Sequence, residues 1–443
     1  MRKIAFLSLS VWFLSSVVRA GDVPAGALDN WHQWRGPLAS GMAPRGDPPI
    51  HWDQKTNIKW KTEIPGKGSA TPIVWGDQVF LLTAIETGRE AKPEELPKPD
   101  PHLEKKTKPP TTFCQFVVLC IDRHSGAIRW QKTAAEQVPH EGHHPTHSYA
   151  AASAATDGRR LIASFGSHGI YCYDLASNLQ WQRDLGRMQT RFGWGEGSSP
   201  VLHGETVVVN WDHEAGSFIV ALDAGTGKMR WKVERDEPTS WATPLVVEHA
   251  GRTQIVVNGT KRARGYDFET GKLLWQCGGQ TINAIPSPVA DADVVYCMSG
   301  YTGSAAFAIP LGASGDLTDT GKSLWHYSRA TPYVPSPLLA DDRLYFTQSN
   351  NAILTCLDAK TGKVLLDRAR LPGLTNLYGS PVGAADRMYI ADRDGTTLVL
   401  KRAPQVEVLA TNRLDDPIDA SPAIVGKQLF LRGAKYLYCI EER

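Results

Sequence analysis

The sequence predicts an all-β protein, an eight-bladed β-propeller with four strands in each blade. Three observations support this prediction. A hairpin phrase recurs along the chain, a Ser/Thr-Pro marker recurs with it, and the last repeat lacks a strand that a segment near the N-terminus can supply. Four short strands in a unit of about 40–50 residues are typical of a propeller blade. We therefore expect one large repeat domain.

The hairpin phrase is a short β-rich run ending in Asp, a turn containing Gly, and a second β-rich run that usually carries Trp. Four copies read ALDAGTGKMRW at 221–231, CIDRHSGAIRW at 120–130, GYDFETGKLLW at 265–275 and CLDAKTGKVLL at 356–366. Gly after Ser or Thr supplies the backbone conformation that tight turns need. Each copy therefore predicts two antiparallel strands joined by a tight turn.

The Ser/Thr-Pro marker precedes each hairpin and sets the number of blades. From Pro200 to Pro422 its copies are 41 to 49 residues apart. The eight copies, one of them with Ala in place of Pro, are Thr71-Pro72, Ser153-Ala154, Ser199-Pro200, Thr243-Pro244, Ser287-Pro288, Ser336-Pro337, Ser380-Pro381 and Ser421-Pro422. Eight markers predict eight blades.

The two ends of the repeat region predict how the ring closes. The last repeat stops after its third strand, whereas residues 57–66 read as a fourth strand with Trp60 in the repeated Trp position. Pairing of residues 58–64 with residues 436–441 would leave no unfinished sheet edge. The recurring Trp itself is expected to pack against the neighbouring blade.

The first residues have the pattern of a secretory signal peptide: Arg2 and Lys3, an apolar core, and a small-residue cleavage site ending at Ala20. We assign residues 1–20 to the signal peptide, 21–56 to an N-terminal Trp-rich arm and 57–443 to the propeller. No later stretch is long and apolar enough to span a membrane. The mature protein is expected to be soluble, monomeric and exported, either periplasmic or extracellular.

The charge balance argues against nucleic acid as a partner. The chain has 48 basic and 46 acidic residues, and loss of Arg2, Lys3 and Arg19 leaves 45 basic residues and a formal charge of −1. A nearly neutral chain has no general attraction to nucleic acid or to an anionic membrane. The expected partner is a protein, a polar small molecule or a glycan.

The seven cysteines are expected to be mostly free thiols. Cys120, Cys172 and Cys356 each stand two residues before the Asp that ends a strand, and Cys439 stands two residues before Glu441. Ala or Gly fills the same position in other repeats, so the position favours a small, buried side chain. Equivalent positions of successive blades should also lie beyond disulfide reach.

The hairpin phrase resembles the pyrroloquinoline-quinone-type propeller repeat, Leu-Asp-x-x-Thr-Gly-Lys-x-x-Trp, at Leu222–Trp231, at Tyr266–Trp275 and, in degraded form, at Leu357–Leu366. The resemblance covers about residues 57–442. The segment at 30–41 is also similar to the lead-in of exported quinoprotein-like propellers of planctomycete type. The resemblance implies the fold of quinoprotein alcohol dehydrogenases and of the lipoprotein propeller of the outer-membrane assembly machinery, but a shared fold does not fix function.

The resemblance also implies what a cofactor site would need. The dehydrogenases stack pyrroloquinoline quinone between a Trp and a disulfide of adjacent cysteines, and they hold calcium with Glu, Asn and a catalytic Asp. This sequence has no adjacent cysteines and no Cys-x-x-Cys-His motif for haem. We therefore expect no cofactor, neither the quinone nor calcium.

One face of the propeller is predicted to bind a ligand or partner. The loops between second and third strands share a face with the blade-to-blade connections, and they are individual in sequence, as binding loops on a rigid frame are. The candidate residues are Arg191, Trp194, Glu196, Asp212, Arg235, Glu237, Trp241, Arg262, Asn283, Tyr301, Arg393 and Arg432. The alternative for the charged members is a solvated ion-pair network.

Two further segments are distinctive. HEGHHPTHSY brings His140, His143, His144 and His147 close together and is a weak candidate for zinc or copper, because a loop cluster alone lacks fixed ligand geometry. Residues 86–112, rich in Pro, Lys and Glu, form an insertion in the first blade. Such a composition cannot pack a core, and the insertion is either a mobile flap on the binding face or a disordered loop without a role.

The sequence lacks Gly-x-Ser-x-Gly, His-Glu-x-x-His and a phosphate-binding loop. We therefore predict a non-enzymatic binding or scaffold propeller for a protein or polar ligand. One alternative is a quinone-dependent dehydrogenase with a divergent pocket that uses Asp212 or Glu196 near calcium. The other is a polysaccharide-binding protein.

Overall fold

A computed structural model describes residues 24–98 and 104–442, so the proposed signal peptide lies outside the described residues. The described chain is almost entirely β-structure, with two short 3-10 turns at Ala27–Asp29 and Gly166–His168. Its strands form eight sheets, each with four strands of one blade. The predicted eight-bladed propeller is therefore confirmed. Within the described ranges, no helix is both long and apolar enough to cross a membrane.

The blades follow one another along the chain, and each runs from an inner first strand to an outer fourth strand. The strands of blades 1 to 4 are Ile73–Trp75, Gln78–Glu90, Thr112–Asp122 and Ile128–Gln137; Ala155–Thr156, Arg160–Ser164, Ile170–Asp174 and Leu179–Arg183; Val201–His203, Thr206–Trp211, Ser217–Asp223 and Met229–Arg235; Leu245–His249, Arg252–Asn258, Arg262–Asp267 and Leu273–Gly278.

The second half repeats the pattern. The strands of blades 5 to 8 are Val289–Ala290, Val294–Ser299, Ala305–Pro310 and Trp325–Tyr327; Leu338–Ala340, Arg343–Thr347, Ile353–Asp358 and Val364–Arg370; Val382–Ala384, Arg387–Ala391, Thr396–Lys401 and Val408–Arg413; Ala423–Val425, Gln428–Arg432, Tyr436–Ile440 and Ile58–Glu63. Two short strands add to blade edges: Met42–Ala43 on blade 7 and Gly315–Asp316 on blade 4.

The ring closes as predicted. Ile58–Glu63 pairs antiparallel with Tyr436–Ile440, with Trp60 opposite Cys439 and Lys61 opposite Tyr438. The first propeller strand in sequence is therefore the fourth strand of the last blade, and this blade has no missing strand.

The recurring Trp packs on the hairpin of the next blade. The Trp181 indole N–H donates to the Ala224 carbonyl at 2.8 Å, and the ring covers Gly227 so closely that a Cβ there would lie 2.7 Å from it. Trp60, Trp231 and Trp325 make the same carbonyl contact with hairpins of the following blades at 2.8–3.0 Å. The hairpin phrase thus builds the joint between neighbouring blades.

The residue that stands two positions before the Asp or Glu at the end of the third strand is small, and it lies directly opposite the recurring Trp of the fourth strand. Trp130 faces Cys120, Trp181 faces Cys172 and Trp60 faces Cys439 across the outer strand pair. All seven cysteines are buried and free, which confirms the expected free thiols. Burial raises the pKa of the Cys172 thiol to about 12, so it stays protonated and unreactive.

The turns between first and second strands, together with the Trp-binding hairpins, form one face of the disc, which we call the turn face. The N-terminal arm crosses this face. The Thr156 N–H donates to the His32 carbonyl at 2.9 Å, and the Asp47 N–H donates to the Gly426 carbonyl at 2.8 Å. The opposite face, with the loops between second and third strands and the blade connections, we call the loop face.

Arg35 of the arm is buried in the centre of the ring. Its guanidinium donates to the carbonyl oxygens of Pro337 at 2.7 Å and Pro381 at 2.8 Å, in two different blades. Among the described residues its side-chain hydrogen bonds all go to backbone carbonyl oxygens, and burial lowers its pKa to about 9. The arm therefore lies across the turn-face end of the central channel and ties blades 6 and 7 together, and a cavity of about 780 Å³ separates it from the first strands of blades 3 to 6.

Candidate functional site

A belt of eight hydroxyl side chains surrounds the channel where the Ser/Thr-Pro markers stand. Each backbone N–H from the first to the seventh member donates to the hydroxyl oxygen of the next member, at 2.8–3.2 Å. The Thr71 hydroxyl donates to the Ser421 carbonyl at 3.1 Å and completes the circle. The members of this hydroxyl belt are Thr71, Ser153, Ser199, Thr243, Ser287, Ser336, Ser380 and Ser421.

A cavity of about 310 Å³ opens from the belt toward the loop face, and we call it the central well. Trp34 of the arm forms its floor and donates its indole N–H to the Ser287 hydroxyl at 3.0 Å. Six belt hydroxyls line its lower part: Ser199, Thr243, Ser287, Ser336, Ser380 and Ser421. Its walls are mainly aromatic: Trp194, Trp241, Tyr301, Tyr333, Tyr378, His144 and His147.

The aromatic walls are held by mutual contacts. The Tyr301 ring lies 4.7 Å from the Tyr333 ring and 6.3 Å from the Trp194 ring, the latter edge-on. The Trp241 indole N–H donates to the Gly195 carbonyl at 2.7 Å. The walls are therefore fixed in place for a ligand that stacks against a ring face.

The well carries little charge. Asp419 is the one carboxylate among its lining residues, and its Oδ1 lies 2.5 Å from Nε of Arg393. The Arg393 guanidinium also stacks 4.2 Å from the centre of the Tyr378 ring. Burial lowers the pKa of His147 to about 4, so this side chain is neutral at pH 7. No Lys or Arg is among the described residues that line the well.

Some candidate residues from the sequence meet at the well. Trp194, Trp241 and Tyr301 line it, and Arg393 lies just behind its wall. Asn283 is buried beside Tyr333. Arg191 lies over the Phe192 ring, at 5.1 Å from its centre, outside the lining set.

Other candidates are enclosed in the blades. Arg235 and Asp212 form a completely buried two-point ion pair in blade 3, with N–O distances of 2.7 and 3.0 Å. Glu237 is buried and lies 2.9 Å from Nη1 of Arg264. Burial raises the pKa of Glu237, although its basic neighbours act in the opposite direction. These groups connect blades 3 and 4 and do not face the well.

Three candidates remain. Arg262 is half-buried and pairs with Asp236 at 3.0 Å near the loop face. Arg432 is buried and donates to the Leu82 carbonyl at 2.7 Å, and burial lowers its pKa to about 9. Glu196 accepts hydrogen bonds from Ser167, and burial raises the pKa of Glu196 to about 7. None of the three lines the well.

The four clustered histidines turn in different directions. His140 bonds to the Met188 carbonyl at 2.6 Å, and His147 bonds to the Glu196 carbonyl at 2.9 Å. His143 bonds within its own loop and His144 bonds to Thr146. Across residues 24–98 and 104–442, no three His, Cys, Asp or Glu side chains are grouped so as to hold a metal ion.

The insertion is partly regular and partly docked on the loop face. Its first residues continue the second strand of blade 1 to Glu90, and Thr112 begins the third strand. Lys105 forms an ion pair with Glu141, and the Thr107 hydroxyl donates to the Gly193 carbonyl at 2.5 Å. The described part of the insertion therefore reaches the loop that carries Trp194.

Sequence reasoning missed several residues of the well. Trp34 belongs to the arm, outside the repeats, and nothing in its local sequence indicates that it reaches the channel. The belt was visible as the Ser/Thr-Pro marker, which we used to count the blades and not to predict a lining. Tyr333, Tyr378 and Asp419, which belong to blade connections, were also absent from the candidate residues.

Comparisons with known proteins agree with this architecture. Residues 166–332 match a family model described as outer membrane protein assembly factor BamB. No curated protein matches the sequence. The crystal structure of BamB from Moraxella catarrhalis is similar with a TM-score of 0.52 at 14% identity, and the match covers 81% of this chain and 99% of that one.

Two dehydrogenases are also similar in structure. A europium-containing methanol dehydrogenase matches with a TM-score of 0.62 at 10% identity, covering 94% of this chain and 92% of its own. Quinohemoprotein alcohol dehydrogenase ADHIIG from Pseudomonas putida HK5 matches with a TM-score of 0.58 at 12% identity, covering 95% and 83%. Likeness at this identity concerns the fold, and the chain is a β-propeller with pyrroloquinoline-quinone-type repeats.

Proposed function

We propose that this propeller is an exported, non-enzymatic binding module whose central well receives a polar ligand through the loop face. Support comes first from the well itself, which combines rigid aromatic walls, a hydroxyl floor and a volume typical of small-ligand sites. Loops that converge on one end of a rigid frame are also where binding functions concentrate.

The observation that carries the proposal is the chemical composition of the well. Asp419 is already paired with Arg393, and His147 is neutral and bonded to a backbone carbonyl. The buried carboxylates Asp212 and Glu237 are engaged in ion pairs inside the blades. Among the other titratable lining residues, the exposed His144 bonds to the Thr146 hydroxyl at 2.7 Å. The well thus offers mainly stacking and hydrogen bonding, and we expect it to bind a ligand and not to carry out acid–base catalysis.

The residues of the well do not fit pyrroloquinoline quinone. The quinone is a polyanionic carboxylate, and burial of such a group requires basic partners or a bound cation. The described lining residues include no Lys or Arg, and Glu196 and Asp212 lie outside the lining. The dehydrogenase alternative therefore has support from the fold alone.

Reconstitution separates the two functions. Purified protein is mixed with the quinone and calcium, and in parallel with a lanthanide, and dye-linked oxidation of alcohols and sugars is followed. We expect no turnover above the rate of an unrelated protein. Oxidation that is lost in the Asp212→Ala or Glu196→Gln variant would establish the dehydrogenase instead.

Binding itself is tested on protein recovered from its native envelope. Native mass spectrometry compares the wild-type protein with Trp241→Ala and with Tyr436→Ala, an aromatic control outside the well. We expect a bound molecule that Trp241→Ala loses and Tyr436→Ala retains. Equal recovery in all three proteins would refute the well as the ligand site.

Export is a separate part of the proposal and is supported by the pattern of residues 1–20. Expression in a bacterial host followed by fractionation tests it. The mature protein should appear outside the cytoplasm with Gly21 as its first residue. An uncleaved chain in the cytoplasmic fraction would contradict this assignment.

A further inference from the structure

The hydroxyl belt gives the well a donor-rich floor. Each of the six lining hydroxyls already accepts a hydrogen bond from a backbone N–H of the preceding blade. None of them donates its own proton to an acceptor within the described chain, although all are buried, with 2–6% of their surface exposed. Six O–H groups that line the well therefore have no hydrogen-bond acceptor among the described residues.

Buried donors normally find acceptors, because an unmade hydrogen bond in a buried position is costly. The contents of the well must therefore supply several acceptor oxygens near its floor. Water can do so in the free protein, and a ligand that displaces the water has to offer acceptors of its own.

The charge of the lining restricts the ligand further. An anion would lose its hydration without meeting a Lys or Arg among the lining residues. A cation would find aromatic faces, but the belt hydroxyls, whose oxygens already accept from backbone N–H groups, have mainly protons left to offer, and Asp419 is already paired with Arg393. The remaining class is a neutral, oxygen-rich molecule.

The aromatic walls indicate that the ligand contains a ring. Tyr301, Tyr333 and Trp194 form a continuous aromatic surface on one side of the well, and Trp34 provides another at the floor. Such surfaces favour a ligand with a flat, weakly polar face. A sugar ring combines this face with ether and hydroxyl oxygens that accept hydrogen bonds.

We propose that the central well binds a neutral saccharide, with the sugar ring against the aromatic wall and its oxygens accepting protons from the hydroxyl belt. This inference rests on the proposed function, which makes the well the ligand site. It adds the class of ligand and the residues that select it.

Calorimetric titrations with matched disaccharides test the class. The neutral probes are cellobiose, maltose and N,N′-diacetylchitobiose, and the charged probes are chitobiose with free amines and a di-glucuronide. We expect at least one neutral probe to bind at least ten times more tightly than either charged probe. Absence of binding by all three neutral sugars at millimolar concentration, or preference for a charged probe, would overturn the inference.

The belt also supplies a matched pair of variants. Ser336 lines the well and accepts from the Ser287 N–H at 3.0 Å, whereas Ser153 accepts from the Thr71 N–H at 2.9 Å and does not line it. Ser336→Ala and Ser153→Ala should lower the thermal midpoint by similar amounts. Only Ser336→Ala should weaken sugar binding, by roughly tenfold for the loss of one donor.

Equal weakening by both variants would mean that the belt acts only through the fold, and it would overturn the assigned role of its hydroxyls. If every sugar fails while native mass spectrometry still shows a molecule that depends on Trp241, the saccharide class is wrong and the binding function stands. If the native protein also carries no such molecule, the proposed function fails as well.

Discussion

At the scale of single residues, the contact between neighbouring blades depends on a glycine for two reasons: its backbone is left-handed, and a Cβ would collide with the Trp ring. Gly227 has a φ of +66°, and an added Cβ would lie 2.7 Å from the Trp181 ring. Gly204, in the turn between the first two strands of the same blade, has a φ of +52° and no atom within 4 Å of an added Cβ. Comparing Ala substitutions at Gly204 and Gly227 therefore distinguishes the cost of backbone strain from the cost of a steric clash with the Trp.

Gly204→Ala is expected to cost about 1 kcal/mol, since only the left-handed backbone is penalised. Gly227→Ala should cost about 1–3 kcal/mol more, because the indole ring must also move. Urea unfolding followed by circular dichroism measures both. Equal costs for the two variants would show that the Trp is not in tight contact with the hairpin.

Glu196 makes stability depend on pH. Desolvation raises the pKa of its carboxyl from 4.5 to about 7 in the folded protein, although Ser167 donates two hydrogen bonds to it. Between these two pH values the folded state holds more protons on this group than the unfolded state. Stability contributed by Glu196 should therefore fall as pH rises from about 4.5 through about 7.

The Glu196→Gln variant, which cannot ionise, isolates this effect. Wild type and variant are unfolded in urea at pH 5, 6, 7 and 8. The variant should gain stability relative to wild type as pH rises through this range, since contributions from other groups cancel in the comparison. A difference that stays constant with pH would show that the carboxyl titrates normally.

At the scale of elements, the insertion in blade 1 supports a wall of the well. Lys105 pairs with Glu141, and Lys106 places its ammonium 3.9 Å above the Phe192 ring. Phe192 in turn lies 5.2 Å from the Trp194 ring. The insertion therefore contacts, from outside, the loop whose Trp194 indole lines the well.

Combined Lys105→Ala and Thr107→Ala substitutions should loosen this loop. We expect faster amide hydrogen exchange across residues 187–199 and no change in the hairpins of blades 4 and 6. Lys92→Ala, which changes an exposed lysine of the same insertion, serves as control. Unchanged exchange in the loop would show that the insertion contacts do not hold it.

The elements also show what the sequence could and could not reveal. Hairpins were predictable because their phrase recurs along the chain, and most of the free cysteines because they stand in its small, buried position. The closing strand was predictable because the last repeat lacks a strand and residues 57–66 carry Trp60 in the repeated position. The partner of Arg235 was not predictable, because several acidic residues follow strand ends and only the packed sheets bring Asp212 to it. The floor of the well was not predictable either, because Trp34 lies outside the repeats.

At the scale of the whole molecule, one strand pair joins the beginning of the propeller to its end. Glu63 faces Tyr436 across this seam, and directly opposite residues of antiparallel strands are within disulfide reach. Glu63→Cys with Tyr436→Cys should therefore form a disulfide under mild oxidation. Because the bridge encloses nearly the whole propeller, it should stabilise the protein by about 3–5 kcal/mol.

The control bridge lies within one blade. Ile353 faces Arg370 in blade 6, and a disulfide there would enclose a short loop and stabilise by about 2–3 kcal/mol less. Mass spectrometry shows whether each bridge forms, and urea unfolding with and without reductant measures its effect. If the seam pair stays reduced while the blade 6 pair oxidises, the ring does not close through this strand.

The arm across the turn face has a consequence for any long ligand. Trp34 lies between the well and the cavity under the arm, so we expect a ligand to enter the well from the loop face. A polymer cannot thread through the disc; it can only insert its terminus, leaving the rest of the strand outside. If the ligand is a polysaccharide, the amount of protein bound should therefore follow the number of chain ends and not the chain length. An enzyme that cleaves the polymer would create new chain ends and so new binding sites for the protein.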